Sequence, residues 1–334
     1  MRRLLAMVLA AGLLSPGLVR AQDGKSSDPA MDTVTALELV KRGRYEDAIT
    51  SCRRALQRDE RYVPALMAMA KAYYYLKKYE LSTAIIEHGQ KLDPNTADGY
   101  HLMGFIALSR NDSVSATAAF KKAVELKPDY GNAWNNLAAQ YLLAKNYEAA
   151  AAAAEKAVEH LPNFDKAHLN LGSAYRGKGQ FAEAEREYRK TLELNPASAD
   201  AYFNLGILYL DAPKIGELDV VTKLNTAIGH LSRYKNLASY RLRPDDPADG
   251  YVEEARKGID REQKRLQRLE KQKERERAKQ AAPPATPPAE TPPAQAPPAE
   301  GAPQSAPAPA PDPNAPRYEG PPPSTPPPAP GGQP

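Results

Sequence analysis

The sequence predicts an all-α solenoid built from helical hairpins, and three regularities predict it. First, residue types return every 34 positions. Trp134, Leu137, Ala138 and Tyr141 are followed by His168, Leu171, Gly172 and Tyr175, and then by Tyr202, Leu205, Gly206 and Tyr209. A fixed period of this length is one helix–turn–helix unit, and such periodicity outranks local propensity. Second, small residues recur in the later half of each unit: Ala48, Ser82, Ala116, Ala150 and Ala184, then Ala55, Gly89, Ala123, Ala157 and Thr191. They let two antiparallel helices approach closely. Third, Pro94, Pro128, Pro162 and Pro196 close four successive units. Proline lacks an N–H and clashes with the preceding turn, so it ends the second helix of each pair.

In chain order the first stretch reads as a leader. Arg2 and Arg3 precede an apolar run, Leu4 to Leu14, which ends at Ser15-Pro16-Gly17. Val19-Arg20-Ala21 then offers small or modest side chains before a cut at Gln22. Residues 1–21 are expected to be a secretory signal peptide, and the apolar run is too short for a stable membrane span. No cysteine follows that run, so no lipid anchor is expected, and the mature chain is expected to be soluble in the periplasm. Residues 22–28 form a short polar linker.

Five units follow without a gap, starting at residues 29, 63, 97, 131 and 165. A sixth starts at residue 199, but its small residue arrives at Ala227, nine positions late. An insertion near 212–220, marked by Pro213 and Gly216, is expected to lengthen the loop between its helices. The insertion is either an end cap, as a solenoid needs where stacking stops, or a partner-specific loop. The solenoid thus spans 29–240.

Arg243-Pro244-Asp245-Asp246-Pro247 reads as a turn inside a 241–280 segment that caps the solenoid and continues as a charged helix. Tyr251, Ala255 and Ile259 lie four apart on one face and are expected to dock on the sixth unit. Between Gly250 and Gln280 there are 11 Lys/Arg and 7 Asp/Glu, a net of +4. This is expected to be a helix supported by i,i+4 pairs, either merely solvated or a basic arm (260–279) that meets an acidic partner, an anionic lipid surface or nucleic acid. With this segment and the leader's three arginines both set aside, the rest of the chain sums to about −3, which argues against a polyanion-binding body, and the expected export argues against nucleic acid as partner. From Ala281 onward 22 of 54 residues are proline, a composition that cannot bury a core and favours extended polyproline II. This tail is expected to be disordered, as a passive end or as a spacer or ligand for a proline-recognising partner.

Chemistry finds little support. The five histidines, His88, His101, His160, His168 and His230, show no metal-ligand spacing, and the single Cys52 excludes an intrachain disulfide. There is no glycine-rich phosphate loop and no nucleophile elbow. No metal, cofactor or catalytic residue is expected. Cys52 falls where an apolar residue packs between helices.

The aromatic, Leu-Gly, Tyr, Ala and Pro positions at these offsets resemble the tetratricopeptide repeat (TPR). That resemblance implies a right-handed superhelix whose first helices line a concave, peptide-binding face. Asn136, Asn170 and Asn204 recur at one offset, and some TPR families use such a ladder to pair with an extended backbone. The resemblance implies a groove with Asn135, Lys166, Ser173, Arg176 and Phe203 nearby, and His101 and Phe105 further back. Met67, Lys71, Tyr74 and Tyr75 give earlier units a more aromatic surface. The carboxylate clamp of chaperone-binding TPR domains is incomplete: Asn170 stands where Arg is needed and Ala139 lacks the amide. The repeats also resemble lipidated TPR pilotins, without their acceptor cysteine. The layout, with Arg243–Tyr251, is similar to the periplasmic TPR component of the myxobacterial gliding-motility envelope complex. Expected partners are therefore envelope proteins or extended peptides, held by a non-catalytic exported scaffold. An adaptor or holdase for a cell-wall enzyme or outer-membrane assembly is the alternative. A cytoplasmic RNA-associated TPR protein requires an uncleaved leader.

Overall fold

The computed structural model describes residues 28–239 and 245–281. The leader, the linker up to residue 27, Arg243-Pro244 of the turn and the proline-rich segment past Ala281 lie outside the described residues. Among those described there are thirteen helices and no strand. Six hairpins come first: α1 (Pro29–Lys41) with α2 (Tyr45–Arg58), α3 (Val63–Tyr75) with α4 (Tyr79–Leu92), and α5 (Ala97–Ser109) with α6 (Ser113–Leu126). Then come α7 (Gly131–Leu143) with α8 (Tyr147–His160), α9 (Asp165–Gly177) with α10 (Phe181–Leu194), and α11 (Ala199–Asp211) with α12 (Val220–Ala238). A last helix, α13, runs from Ala248 to Ala281. Each helix packs on its hairpin partner and on the next hairpin, as a solenoid requires. No described helix is long and apolar enough to cross a membrane.

The turns inside the hairpins explain the register. Gly43, Lys77, Asn111, Lys145 and Gly179 all have positive φ, between 57° and 75°, and they stand 34 residues apart. Each is followed by an N–H that reaches back five residues, as from Arg44 to Leu39 O, Lys78 to Tyr73 O and Gln180 to Tyr175 O. This is a Schellman closure, which satisfies carbonyls left open by the first helix. Only three residues then separate the helices. In the sixth hairpin that place falls to Pro213, whose ring fixes φ near −65° and forbids the left-handed turn. The chain instead runs on through Gly216, itself at φ +52°, to Asp219. Asp219 caps α12 by accepting from the Val221 and Thr222 N–H groups. The late small residue expected at Ala227 is where the packing puts it. The close approach of Gly206 to Leu231 and the Ala227 carbonyl repeats that of Gly172 to Tyr188 and the Ala184 carbonyl.

Inside each hairpin, size is matched across the helix pair. A β-carbon on Gly104 would lie 2.4 Å from the Phe120 ring, on Gly172 2.7 Å from the Tyr188 ring, and on Gly206 2.6 Å from Leu231. In the fourth hairpin the residues at these two places are Ala138 and Ala154, both fully buried. Cys52 holds the corresponding place in the first hairpin, fully buried, and burial pushes its thiol pKa up to about 12. The buried Ser82 donates its hydroxyl to the Ala70 carbonyl of the facing helix at 2.8 Å. At the N-terminal end Asp32 pairs with Arg54, at 3.1 Å, and with Arg58.

The other end is closed by α13. Its first turns cover α11 and α12, burying Ala248 and Ala255 and setting Tyr251 against Phe203 with ring centroids 6.1 Å apart. Gly258 lets the helix pass Leu224, since a β-carbon there would lie 2.8 Å from it. The expected i,i+4 support reaches only part of the helix. Glu253–Lys257, Asp260–Lys264 and the i,i+3 pair Glu262–Arg265 form, but beyond Arg265 no ion pair forms among the described residues. There the i,i+4 neighbours share a sign: Lys271 with Arg275, Glu270 with Glu274, Lys273 with Arg277.

Candidate functional site

The first helices of neighbouring hairpins lie side by side, α7 on α9 and α9 on α11, and they carry the expected groove residues. The asparagines do not stand equivalent. Asn136 Nδ2 lies 2.9 Å from His101 Nε2 of the preceding unit. Asn170 Nδ2 donates to Asn135 Oδ1 at 2.9 Å and to the Asn135 carbonyl at 3.3 Å. Each contact spans 35 residues, from the sixth position of one unit to the fifth of the unit before. For Asn204 that fifth position is Leu169, which offers no side-chain acceptor. Asn204 is half-buried and has no hydrogen-bond partner among the described residues.

His101 sits in a relay whose protons can be placed. Tyr130 donates its hydroxyl to the Asp98 carboxylate at 2.7 Å. Its oxygen, 3.0 Å from His101 Nδ1, is then free to accept. Nδ1 therefore carries the proton, and Nε2 accepts from the Asn136 amide. The neutral ring packs edge-on to Phe105, with centroids 4.9 Å apart, and close to Phe120 and Tyr130. Burial pulls its pKa down to about 4, against the smaller opposing pull of Asp98. The relay joins the third and fourth units, so His101 and Phe105 contribute packing as well as surface.

The remaining candidates divide. Arg176 reaches across one unit to Asp211 at 2.8 Å. Ser173 donates to the Leu169 carbonyl and accepts from Tyr188 at 3.2 Å. Asn135 is buried beneath Asn170. Phe203 is covered by Tyr234, at 5.0 Å, and by Tyr251, so it belongs to the end cap. Lys166 is exposed. His168, at the place Trp134 holds one unit earlier, repeats its contact. Trp134 Nε1 donates to the Pro128 carbonyl at 2.7 Å, and His168 Nε2 lies 3.0 Å from the Pro162 carbonyl. Sequence reasoning missed Asp98, Tyr130 and Asp211, although the 35-residue offset from Arg176 to Asp211 was there to find.

The arrangement leaves amide groups, one unpaired asparagine and a lysine on one run of helices. These are donors and acceptors suited to an extended backbone and supply no nucleophile–base pair. Further back, Tyr45, Tyr75, Tyr74 and Phe105 form a run of touching rings.

Comparison with known proteins agrees with this geometry. Models described as tetratricopeptide repeat match residues 39–104, 97–130 and 119–152, and one described as TPR repeat matches 172–212. None describes a catalytic family. No curated protein sequence matches the chain. Among solved structures, the chain is similar to pilF of Pseudomonas aeruginosa, with 18% identity over 63% of this chain and 92% of that one, at a TM-score of 0.54. It is also similar to PilW, a type IV pilus biogenesis factor, with 19% identity over 65% and 96% of the two chains, at a TM-score of 0.51. YrrB, a TPR protein with an unusual peptide-binding site, shows 18% identity over 61% and 97%, at a TM-score of 0.49. These likenesses are likenesses of fold. The hairpins of this chain are tetratricopeptide repeats, and the molecule has the architecture of a protein-interaction scaffold.

Proposed function

We propose that the chain is a non-catalytic, exported scaffold of the cell envelope that holds extended protein segments along α7, α9 and α11. The observation that carries this reading is Asn204, an amide with donor and acceptor unpaired on the face where Asn136 and Asn170 still offer their carbonyl oxygens. Export is supported by the leader pattern of Arg2 to Ala21. An envelope-spanning assembly is supported by the layout, and a gliding-motility complex is one assembly of that kind. The likeness to pilF and PilW is compatible with an envelope role and adds no partner.

The test is in-cell crosslinking and pull-down with three chains: wild type, Asn204→Ala, and the triple Asn136/Asn170/Asn204→Ala. Discrete envelope proteins captured by the wild type and lost with Asn204→Ala support the reading. The single variant is decisive, because Asn136 and Asn170 also tie units together and their loss perturbs packing. Unchanged capture in both variants places the contacts elsewhere and overturns the groove. An intact mass starting at Gln22 tests export separately; a full-length mass in the cytosol overturns it.

A further inference from the structure

We propose that the outer part of α13 is a docking face for an anionic lipid bilayer surface. The inference concerns a different surface from the peptide groove and does not depend on it. At 3.6 residues per turn, Arg261, Lys264, Arg265, Arg268, Lys271 and Arg275 fall within a sector of about 120°. Over that stretch the sector holds Gln272 besides them and no carboxylate. Glu262, Glu270 and Glu274 lie on the remaining face. The stripe runs about 21 Å along the helix. Every described side chain from Gln263 to Gln280 is exposed, so nothing in the described fold covers it.

Two features make the stripe a poor choice for mere solvation. Lys264 and Arg265 are paired to Asp260 and Glu262, but Arg268, Lys271 and Arg275 have no acidic partner among the described residues. Lys271 and Arg275 even stand as like charges at i,i+4, which weakens an isolated helix. A surface of opposite charge would relieve that repulsion. The one-sidedness selects the kind of surface. A nucleic-acid groove wraps a helix and would bring phosphates against Glu262, Glu270 and Glu274, whereas a plane meets only the basic side. The stripe also carries no aromatic side chain on which a base could stack. Leu266 and Leu269 lie off the stripe, so the contact is electrostatic, without insertion of an apolar face.

The experiment is sedimentation of the full chain with phosphatidylglycerol–phosphatidylcholine vesicles and with pure phosphatidylcholine vesicles. Wild type is compared with R268E/K271E and with K273E/R277E, which makes the same charge change on the opposite face. Circular dichroism checks that all three keep the helix. The expected result is binding to the anionic vesicles only, falling with salt, and weakened roughly tenfold or more in R268E/K271E. K273E/R277E should stay within about threefold of wild type, because its cations face away from the plane. Equal losses in the two variants would mean that net charge alone acts, and would overturn the docking face. So would the absence of vesicle binding, or a stronger and stripe-dependent affinity for duplex DNA.

Discussion

His101 shows how one residue joins stability to the candidate groove. Its ring is neutral in the Asp98–Tyr130–His101–Asn136 relay, and burial holds its pKa at about 4 against an ordinary 6.5. Between those values the unfolded chain binds a proton that the folded chain does not. The stabilisation is therefore fully present above pH 6.5 and is lost as pH falls toward 4, by up to about 3 kcal/mol. Urea unfolding of wild type and His101→Phe across that window should give a pH slope for wild type that the variant lacks. Equal slopes would remove His101 as the source. The hairpin turns allow a second comparison. Gly179 has φ +74° and open space around it, so Gly179→Ala changes backbone conformation alone and should cost about 1 kcal/mol. Lys145 adopts the same conformation at φ 57° without being glycine, so Lys145→Gly should be neutral or stabilising by up to about 0.5 kcal/mol. Opposite signs in denaturant melts would refute the strain argument. The asparagine offsets were legible in the sequence, but their engagement was not. Whether an amide is spent inside the chain depends on the residue 35 positions earlier, and His101, Asn135 and Leu169 give three different answers.

Helix pairs are specified by complementary sizes, and this makes neighbouring substitutions non-additive. Gly104 faces the Phe120 ring, so Gly104→Ala forces the ring aside and should destabilise by about 1–3 kcal/mol. Phe120→Ala empties a fully buried site and should cost about 3–5 kcal/mol. In the double variant the new methyl enters space the ring has left. Its cost should therefore stay close to that of Phe120→Ala alone, well below the sum of the two, in a double-mutant cycle by thermal or urea melts. Additive costs would show that the methyl is accommodated elsewhere. The same logic sets the limits of what sequence could say about the hairpins. The spacing of small residues located every helix pair, including Ala227 after the insertion. Why the sixth turn had to lengthen needed the backbone, since only the positive φ of the five earlier turns makes Pro213 incompatible with a short one. For α13 the interspersed charges suggest mutual support along the whole helix, but i,i+4 pairing beyond Arg265 joins like signs.

A solenoid has no closed core, so its ends decide how it unravels. Each hairpin buries its apolar face only against neighbours, and the last one relies on the start of α13. There Ala248, Tyr251 and Val252 pack with Ile207, Phe203 and Leu231, and Ala255 is buried, while every side chain from Gln263 to Gln280 is exposed. Two truncations separate these parts. Ending the chain after Arg265 removes the exposed arm and should leave unfolding within about 0.5 kcal/mol of the full chain. Ending it after Ser239 uncovers the aromatic cluster of the sixth hairpin and should cost about 2–4 kcal/mol, from the apolar area returned to water. The loss should be local. Hydrogen exchange should speed first in α11 and α12, while α3 to α8 keep their protection, because stability in a repeat array is a sum of nearest-neighbour terms. Uniform acceleration along the whole chain would mean that the six hairpins unfold as one cooperative unit. In that case the cap would set the stability of the peptide face from end to end, and Asn204, on the hairpin beside the cap, would be no easier to loosen than Asn136.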